Sequence, residues 1–356
     1  MKAKIKVGFV GTGRHARRSI YPSLRWSPID LVAVCNRSGG EVLRDTARTF
    51  GARRIYTDYK KMFEQEDLDA VIIVTGPDSH PQISIDAMKA GLHVFVEKPP
   101  ANTVKETMDM AKVSRETGRH LMVAFKKRFA PAYIKAKEIM ESMEFGPPAS
   151  LHTRLRSKTS REIVDLRRDK ELTNEDNKRI RFWMLDYVIH HLDLVRFFMG
   201  DVDSIYFERN TASGLPSYAV SLRFKKGTVG TMHVTQGDSV STFQENLEII
   251  GQGSNLIVDN VIKLLYYRKT TSLPIDQYIG TNEEAPLVWE PAFSLSTAVR
   301  VPVLEGFVGE IQHFAESILK GESPRSNIYD GIEALKLVDA MCSKPRETIC
   351  MQNSHK

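Results

Sequence analysis

Residues 5–16 read Ile-Lys-Val-Gly-Phe-Val-Gly-Thr-Gly-Arg-His-Ala, a strand-like apolar run followed at once by the pattern Gly11-x-Gly13-x-x-Ala16. In this context the first glycine makes a tight turn, the second lets backbone N–H groups approach a pyrophosphate, and the alanine lets the next helix pack closely on the strand. The helix N-terminus adds unsatisfied N–H donors and the positive end of its dipole. The stretch therefore predicts a βαβ unit that binds a dinucleotide. The alternative is a glycine turn with a purely structural role.

Alternating apolar runs and amphipathic segments extend this unit to about residue 125. The apolar runs are nearly continuous in Val, Ile, Leu and Phe, as expected for strands that are covered on both faces. Each predicted helix between them is followed by a glycine, the usual residue after a helix C-terminus. This order predicts right-handed crossovers and a doubly wound parallel sheet of the α/β class. The predicted strands are Ile5–Val10, Leu31–Cys35, Ala70–Thr75, His93–Val96 and Leu121–Phe125, and the predicted helices are Glu41–Phe50, Pro81–Ala90 and Val104–Thr117.

After residue 125 the pattern changes to helices and turn-separated strands. We expect two domains, 1–125 and 126–356, the second an α+β domain with an open, mostly antiparallel sheet; its C-terminal helices, 307–342, could pack back on the first domain. The stretch 158–181 carries 14 charged residues in 24 and is either a solvated loop or a lid over a ligand. The predicted elements are helix Pro131–Glu144, strand 149–156, helix Phe182–Met199, strands Tyr218–Phe224, Thr228–Thr235, Glu245–Ile250, Asn255–Asp259 and Ile262–Tyr267, and helices Phe307–Leu319 and Ile328–Cys342.

Composition and charge narrow the class of protein. The chain has 356 residues, which suggests two domains at roughly 150 residues each. Hydrophobic residues make up 42% and charged residues 26%, which excludes a disordered, collagen-like or coiled-coil chain. The net charge of +6 is spread along the chain, so we expect no nucleic-acid partner. With neither a signal-peptide core nor an apolar run long enough to span a bilayer, we expect no membrane association and a cytoplasmic location. Three cysteines without ligand spacing predict reduced thiols and no metal site.

The residues after the second predicted strand bear on the choice of dinucleotide. Sites that prefer NAD usually place an acid there to bind the ribose hydroxyls. This chain has Asn36, Arg37 and Ser38 instead, and a cation next to a hydroxyl suits a 2′-phosphate. The pattern therefore favours NADP over NAD. In the alternative reading, Asn36 binds the hydroxyls of NAD and Arg37 is simply a surface residue.

Two further motifs carry groups suited to acid–base chemistry. Glu97-Lys98-Pro99 ends a parallel strand, and the carboxyl ends of such strands face the ligand crevice. We therefore expect Lys98 to project toward a bound dinucleotide, where its ammonium can hydrogen-bond a substrate hydroxyl. Asp186 and His190 lie four apart on an apolar helix and share one face, as a proton relay requires. A surface lysine and a packed core histidine are the alternatives, and His191, about 100° further round the helix, could be core.

Taken together, these motifs resemble the Gfo/Idh/MocA family of dehydrogenases over essentially the whole chain. The resemblance implies an N-terminal Rossmann domain and a C-terminal domain whose open sheet forms homodimers or homotetramers. It also implies hydride transfer between NAD or NADP and a sugar, cyclitol or related polyol. Arg181-Phe182-Trp183 replace the glycine run that many members have before the histidine helix, which predicts a reshaped substrate pocket. Further segments that carry the resemblance are Thr75-Gly-Pro77-Asp78-Ser-His80, Phe125-Lys-Lys-Arg128-Phe-x-Pro131, and Glu310-x-x-x-Phe314 through Asp330-Gly331.

The resemblance also implies residue roles by position. Lys98, Asp186 and His190 fall on the family's catalytic lysine, aspartate and histidine, and we expect them to bind the substrate as well. Further candidates for substrate contact are Arg128, Arg154 and Arg156, each with a surface salt bridge as the alternative. The cofactor-binding candidates are Gly11, Thr12, Gly13, Arg14, His15, Asn36, Arg37, Ser38, Thr75, Pro77, His80, Glu97 and Lys98.

Two other functions fit the same architecture. One is a cofactor-sensing regulator without turnover, which is expected to lack part of the lysine, aspartate and histidine set that this chain retains. The other is a glycosidase that keeps NAD bound and cleaves its substrate by transient oxidation. Release of an aglycone without net redox change would identify the second of these.

Overall fold

The structure is a computed structural model that describes residues 3–158, 174–210, 215–238, 244–269, 286–291 and 301–351. The chain divides into two units: unit 1 comprises Met1–Phe129 and Val299–Leu335, and unit 2 comprises Ala130–Ala298 and Lys336–Lys356. The first unit therefore ends at Phe129 rather than at residue 125, and a C-terminal segment belongs to it. Of the stretch that the sequence presents as a loop or a lid, residues 159–173 lie outside the described residues, and a helix begins at residue 174.

Unit 1 is built on a six-stranded parallel sheet, which confirms the predicted doubly wound fold. Its central strands are buried on both faces, because nearly every residue in them is apolar. The third strand, which was not predicted, is a three-residue edge strand that is largely exposed and so carries no apolar signal. The strands are β1 Ile5–Val10, β2 Ile29–Cys35, β3 Arg54–Tyr56, β4 Ala70–Ile73, β5 His93–Val96 and β6 Leu121–Val123. They lie in the order β3-β2-β1-β4-β5-β6. The strand order therefore reverses between β1 and β4, and α/β sheets bind ligands at such a switch point.

Unit 2 contains a nine-stranded sheet that is antiparallel except for one neighbouring pair, as the sequence predicts. Every second side chain is buried along most strands, so one face is covered and the other is open. The strands are β7 Ser150–Lys158, β8 Val202–Asn210, β9 Ser217–Phe224, β10 Val229–Asp238, β11 Gln244–Ile250, β12 Asn255–Asp259, β13 Lys263–Tyr267, β14 Leu287–Trp289 and β15 Ile349–Cys350. Their order is β14-β13-β12-β11-β7-β10-β9-β8-β15, and the parallel pair is β7 with β10.

Five of the seven predicted helices begin and end within one residue of the prediction, because their termini carry strong local signals. The helix predicted over Pro131–Glu144 ends at Met140, and the one predicted over Phe182–Met199 is instead two helices, Asn174–Trp183 and Ile189–Met199, joined by a π-helical turn. Three short helices were not predicted: Tyr21–Leu24, Tyr59–Gln65 and Val301–Leu304. Thr103 and Glu106 form a reciprocal capping box at one N-terminus, and Gly51 and Gly118 end helices in the left-handed conformation. Within the described parts of the chain, no helix has the length and apolarity needed to cross a membrane. The helices are α1 Tyr21–Leu24, α2 Gly40–Phe50, α3 Tyr59–Gln65, α4 His80–Lys89, α5 Val104–Thr117, α6 Pro131–Met140, α7 Asn174–Trp183, α8 Ile189–Met199, α9 Val301–Leu304, α10 Phe307–Lys320 and α11 Ile328–Met341.

Two helical stretches are widened into π-helix, Ala16–Ile20 before α1 and Met184–Val188 before α8. In the first, the N–H of Tyr21 donates to the carbonyl of Ala16, five residues back. Pro22 has no N–H and crowds the preceding turn, which accounts for the wider turn there. Short π-helical turns occur frequently at functional sites. Both of these adjoin a sequence motif, the glycine-rich turn in one case and the aspartate–histidine pair in the other.

The C-terminal segment completes the core of unit 1. Phe314 of α10 is fully buried and packs edge-on against Phe95 of β5, with ring centroids 5.7 Å apart. A Cβ at Gly309 would lie 2.8 Å from the carbonyl oxygen of Phe129, so α10 can approach this closely only with glycine there. Arg128 donates to Asp330, at the start of α11, over 2.9 Å. The segment is therefore an integral part of the first unit.

Candidate active site

The turns that follow β1, β2, β4 and β5 are connected by side-chain hydrogen bonds at the carboxyl edge of the unit 1 sheet. Each of these turns contains residues that the sequence predicts to bind the cofactor. The network therefore fixes the turns relative to one another before any ligand binds. Its bonds are His15 Nε2 with Glu97 Oε1 at 2.9 Å, Asn36 Nδ2 to Thr12 Oγ1 at 2.5 Å, and His80 Nδ1 with the Pro99 carbonyl at 2.9 Å.

The glycine-rich turn is tightly packed at its first glycine and open at its second. Gly11 has φ +118°, and a Cβ there would lie only 2.0 Å from the carbonyl oxygen of Val74. A Cβ at Gly13 would have no heavy atom within 4 Å outside its immediate neighbours. The hydroxyl of Tyr21 donates to the Gly11 carbonyl over 3.0 Å and holds the turn from behind. The space at Gly13, at the start of a helix, fits the pyrophosphate of a dinucleotide.

Asn36 at the end of β2 already uses its side chain within the protein. Its amide donates to Thr12, and its carbonyl oxygen accepts from the N–H and the hydroxyl of Ser38 over 3.1 and 3.2 Å. Arg37 is exposed. The residues that would surround an adenosine ribose therefore present a cation and a hydroxyl group, and the acceptor lone pairs of Asn36 are occupied.

Glu97 at the end of β5 is a buried carboxylate that holds the backbone of Lys98. One oxygen faces His15, and the other accepts from the Lys98 N–H over 3.1 Å. Burial alone would raise the pKa of Glu97, but the hydrogen bond from His15 and the nearby positive charge of Lys98 help to outweigh it, so that the pKa lies below its ordinary value. Glu97 is therefore ionised at neutral pH, next to a partly exposed lysine.

His80 supports the loop after β4 from within. Its side chain is buried, with Nδ1 2.9 Å from the Pro99 carbonyl and Nε2 3.1 Å from the Thr75 carbonyl. Burial lowers its pKa, so the neutral ring donates its single proton to one carbonyl at a time. The sequence predicts that His80 binds the cofactor directly, whereas both ring nitrogens face backbone atoms. Thr75 and Pro77 are the partly exposed residues of this loop.

In unit 2, the predicted acid–base pair lies at the junction of a π-helical turn and α8. Asp186 lies within the π-helical segment and is partly exposed, and His190, in the first turn of α8, is 8% exposed. The regular α-helical spacing expected from the sequence is therefore widened here. His191 is buried, with Nε2 3.6 Å from a carboxylate oxygen of Glu245, and Glu245 also accepts from the hydroxyl of Tyr133 over 2.7 Å.

The three arginines predicted to contact substrate are divided between the two units. Arg128 belongs to unit 1, where it is buried and donates to Asp330 and to the carbonyl of Arg325. Arg154 and Arg156 alternate along β7 with the buried Leu155, so they lie on the sheet face opposite the one that α8 contacts. Arg156 donates to Gln244 there. Substrate contact by these three arginines stays a prediction.

The bulky residues before α8 have three different environments. The side chain of Arg181 is paired with Asp339 of α11. Trp183 is buried in the core of unit 2, its ring centroid 6.3 Å from that of Tyr218. Phe182 is 65% exposed, so it is the one member of this tripeptide that presents a large apolar side chain to solvent.

Glu310 on α10 is a candidate functional residue for which the sequence motifs predict no functional role. It is fully buried in unit 1, and neither carboxyl oxygen has a hydrogen-bond partner among the described residues. Burial and the charge of Glu97 raise its pKa well above the ordinary value, although Lys126 opposes the shift. The sequence could have identified Glu310, because its position lies on the same face of the helix as the apolar residues Phe307, Ile311 and Phe314.

The chain matches two protein-family models of a single family. Residues 5–125 match the oxidoreductase family with an NAD-binding Rossmann fold, and residues 133–256 match the GFO/IDH/MocA C-terminal domain. Together the two matches cover more than half of the chain. They fall on the two segments that the sequence assigns to a Rossmann domain and to a second, α+β domain.

Known proteins with similar sequences and structures agree with this assignment. Myo-inositol 2-dehydrogenase of Thermotoga maritima is 23% identical over 346 residues, 94% of each chain. D-apiose dehydrogenase of Paraburkholderia graminis is 25% identical over 97% of this chain and 88% of its own. A dehydrogenase from Chromobacterium violaceum has the same fold, with a TM-score of 0.81 at 20% identity over 96% of this chain and 95% of its own. The chain belongs to the Gfo/Idh/MocA family of NAD-binding oxidoreductases.

Proposed function

We propose that the protein is an NAD(P)-dependent dehydrogenase that transfers hydride between the nicotinamide and a secondary alcohol or ketone of a sugar, cyclitol or related polyol. The observation that carries the proposal is the glycine-rich turn, closed at Gly11, open at Gly13 and hydrogen-bonded through His15 to the segment that bears Lys98. Such a turn supports a dinucleotide site next to a cationic acid–base group. Relatives named for inositol and apiose support the substrate class.

The residues present fit a bound dinucleotide. Backbone N–H groups at Gly13 and the helix that follows would hold the pyrophosphate, as at other helix N-termini. Thr12 and the residues after β2 would border the adenosine ribose, with Arg14 beside the phosphates. When bound, the nicotinamide supplies the carbon that accepts or donates hydride. The remaining candidates border the same edge of the sheet: Thr75, Pro77, Glu97 and Lys98.

The chain's own residues handle the proton and orient the substrate. Lys98 donates a hydrogen bond to the substrate oxygen, which increases the acidity of the hydroxyl group. His190 takes the hydroxyl proton as general base, and the carboxylate of Asp186 favours the resulting imidazolium. In the reductive direction the same proton returns to the oxygen. Exclusion of water around the reacting carbon keeps the hydroxyl group oriented for proton transfer.

A turnover assay with matched variants tests this proposal. Reduction of NAD and NADP would be followed by absorbance near 340 nm with a panel of polyols, cyclitols and sugars. We expect at least one substrate to turn over, and we expect Lys98→Met and His190→Ala to lower kcat by about 100-fold or more. His152→Ala, on the open face of the unit 2 sheet, is the control and should retain wild-type kcat. Wild-type kcat in His190→Ala would remove that residue from the mechanism.

The residues after β2 support a preference for NADP over NAD. A 2′-phosphate adds negative charge where Arg37 and Ser38 are exposed, and positions 36–38 hold no carboxylate to repel it. In addition, the carbonyl of Asn36 already accepts two hydrogen bonds, so the preferred acceptor for the ribose hydroxyls of NAD is engaged. The cofactor we propose for this enzyme in the cell is therefore NADP.

Binding measurements with both reduced dinucleotides test the preference. We expect NADPH to bind more tightly than NADH, and Arg37→Gln to weaken NADPH binding by about 10-fold, the size of a lost charge-assisted hydrogen bond. The same variant should leave NADH binding within about twofold, since NADH has no 2′-phosphate. Equal weakening of both ligands would show that Arg37 does not recognise the 2′-phosphate.

The open face of the nine-stranded sheet is the surface through which we propose that the protein forms a homodimer or homotetramer. It presents Tyr206, Val229 and Ile250, which are each more than a third exposed, among polar side chains. Val229→Lys would place a charge at the centre of that surface. Light scattering after size exclusion should show a dimer or tetramer for the wild type and a smaller species for the variant. A monomeric wild type at micromolar concentration would refute the proposal.

The cysteines are consistent with the cytoplasmic location that we propose. Cys35, Cys342 and Cys350 are all free thiols, and burial raises the pKa of Cys35 to about 12. A thiol of this kind is unreactive. Titration of the denatured, non-reduced protein should detect every cysteine as a thiol, whereas a disulfide in protein freshly isolated from its cells would argue against a reducing compartment.

A further inference from the structure

His15 connects two turns that are separated in the sequence and not adjacent in the sheet. It lies in the turn after β1, and its Nε2 is 2.9 Å from Oε1 of Glu97, in the turn after β5. Between these strands lies β4. The imidazole is about half exposed, and its partner carboxylate is buried. The hydrogen bond therefore reaches from the surface where a dinucleotide would bind into the interior of unit 1.

Glu97 connects His15 to the backbone of Lys98 through hydrogen bonds. With one oxygen on His15, the carboxylate uses its other oxygen to accept from the N–H of Lys98. Because Glu97 is ionised and buried, a displacement of its partner would leave a buried charge without compensation, at a considerable cost in free energy. The carboxylate, and with it the Lys98 backbone, should therefore follow the imidazole.

Several other charged or titratable groups lie around this pair within unit 1. His80 is neutral at neutral pH because burial lowers its pKa, and Glu310 favours the protonated form because burial raises its pKa. The ammonium of Lys126 lies over the ring of Phe307, which itself lies 5.7 Å from the His15 ring, measured between centroids. The surrounding groups are Glu97, Lys98, His80, Glu310, Lys126 and Glu305, the last of which pairs with Lys126 at 2.5 Å.

We propose that His15 is a positioning residue that, through Glu97, sets both the shape of the dinucleotide site and the placement of Lys98. The proposal rests on the function proposed above. From the phosphate-binding turn, the imidazole donates a charge-assisted hydrogen bond to the buried Glu97 carboxylate, which in turn accepts from the Lys98 N–H. Loss of the imidazole donor should therefore weaken dinucleotide binding and displace Lys98.

Calorimetric titration of the full-length chain with NADH tests the effect on binding. His15→Gln keeps a hydrogen-bond donor, so its Kd should stay within about twofold of the wild-type value. His15→Phe removes the donor, and its Kd should rise by about 5-fold or more.

A control variant separates His15 from a histidine elsewhere in unit 1. His120→Gln, at the amino end of β6 and so at the opposite edge of the sheet, should retain the wild-type Kd. A wild-type Kd in His15→Phe, or a Kd raised as much in His15→Gln as in His15→Phe, would overturn the proposal.

Kinetics provides a readout that a purely structural role would not affect. His15→Gln should hold Glu97 in place and keep kcat within about threefold, whereas His15→Phe should lower kcat by about 10-fold at saturating dinucleotide. Thermal unfolding of each variant checks that it folds. Equal kcat in both variants would overturn the link to Lys98. If the wild type bound no dinucleotide, the proposed function would fail together with this inference, whereas wild-type binding and kcat in His15→Phe would overturn the inference alone.

Discussion

The phenolic hydroxyl of Tyr21 donates a hydrogen bond to the backbone carbonyl of Gly11 over 3.0 Å. Tyr21 is buried, and its ring stacks on Phe9 of β1 at 3.9 Å and on Phe50 of α2 at 4.8 Å. The first glycine of the turn is therefore fixed by the core beneath it as well as by its own backbone. Stability of unit 1 and affinity for the dinucleotide should depend on the same contact.

Tyr21→Phe should lower both stability and affinity. The variant leaves the Gly11 carbonyl without its donor, which should reduce the free energy of unfolding by about 1–2 kcal/mol, and we expect dinucleotide Kd to rise several-fold. Urea unfolding and calorimetric titration measure the two effects. Tyr59→Phe is the matched control, since it loses a hydrogen bond to Asp86 away from the turn and should weaken folding without changing Kd. An unchanged Kd in Tyr21→Phe would show that this contact does not shape the ligand site.

Alanine at the two glycines of the turn should have opposite consequences. Gly11→Ala forces a Cβ against the Val74 carbonyl at a positive φ, so it should destabilise the protein by several kcal/mol or prevent folding. Gly13→Ala meets no protein atom, so the protein should keep its melting temperature while the methyl group blocks the pyrophosphate and raises Kd by about 10-fold or more. Thermal unfolding and binding measurements on both variants test the contrast. Tight dinucleotide binding by Gly13→Ala would contradict the assigned ligand position.

Glu310→Gln should stabilise the protein more at high pH than at low pH. The pKa of Glu310 is raised from an ordinary value of 4.5, so above that value the unfolded chain ionises while the folded chain stays protonated. Stability of the wild type therefore falls as the pH rises from about 4.5 toward the folded pKa, by up to about 1.4 kcal/mol per pH unit. Glutamine cannot titrate and avoids this loss.

The measurement is the difference in Tm between Glu310→Gln and the wild type at about pH 5 and about pH 8. We expect this difference to become more positive by roughly 3 °C or more at the higher pH. Glu316→Gln, a more exposed position on α10, is the matched control and should show no such trend. A difference that does not change with pH would mean that Glu310 is ionised in the folded protein.

Removal of either partner of the Arg128–Asp330 pair should destabilise unit 1. The two side chains are largely buried, and Arg128 also donates to the carbonyl of Arg325 over 2.7 Å. Loss of one partner leaves a buried charge uncompensated, so Arg128→Met should lower the free energy of unfolding by about 3 kcal/mol. Arg53→Met, which breaks an exposed pair with Asp30, should lower the free energy of unfolding much less, because solvent screens that pair. Similar losses in the two variants would show that the buried pair does not anchor the C-terminal segment.

The parallel sheet could be predicted from the sequence because its strands are uniformly apolar and its turns carry glycine. β1 and β5 begin and end at the predicted residues, and α5 matches because a capping box and a glycine define its two ends. The edge strand β3 could not be predicted, since its three residues are largely exposed. The local sequence pattern therefore predicts a strand reliably when both faces of that strand are buried.

The candidate site was only partly predictable. Glycine spacing identifies the turn, but the hydrogen bond between His15 and Glu97 joins residues 82 positions apart, and spacing along one chain does not report such contacts. The π-helical turn at Asp186 was likewise hidden, because an aspartate and a histidine four apart suggest an ordinary helix. For the arginines of β7, the sequence shows the alternation along the strand but not which face of the sheet is covered.

Hydride transfer itself is the most direct test of the central claim. A substrate found in the turnover assay would be labelled with deuterium on the carbon that bears the reacting hydroxyl, and the nicotinamide would be analysed by mass spectrometry after one turnover. A dehydrogenase of the proposed kind transfers the deuterium to the reduced nicotinamide and releases the oxidised product. Deuterium retained in a cleaved or unchanged sugar, with no labelled dinucleotide formed, would contradict the account.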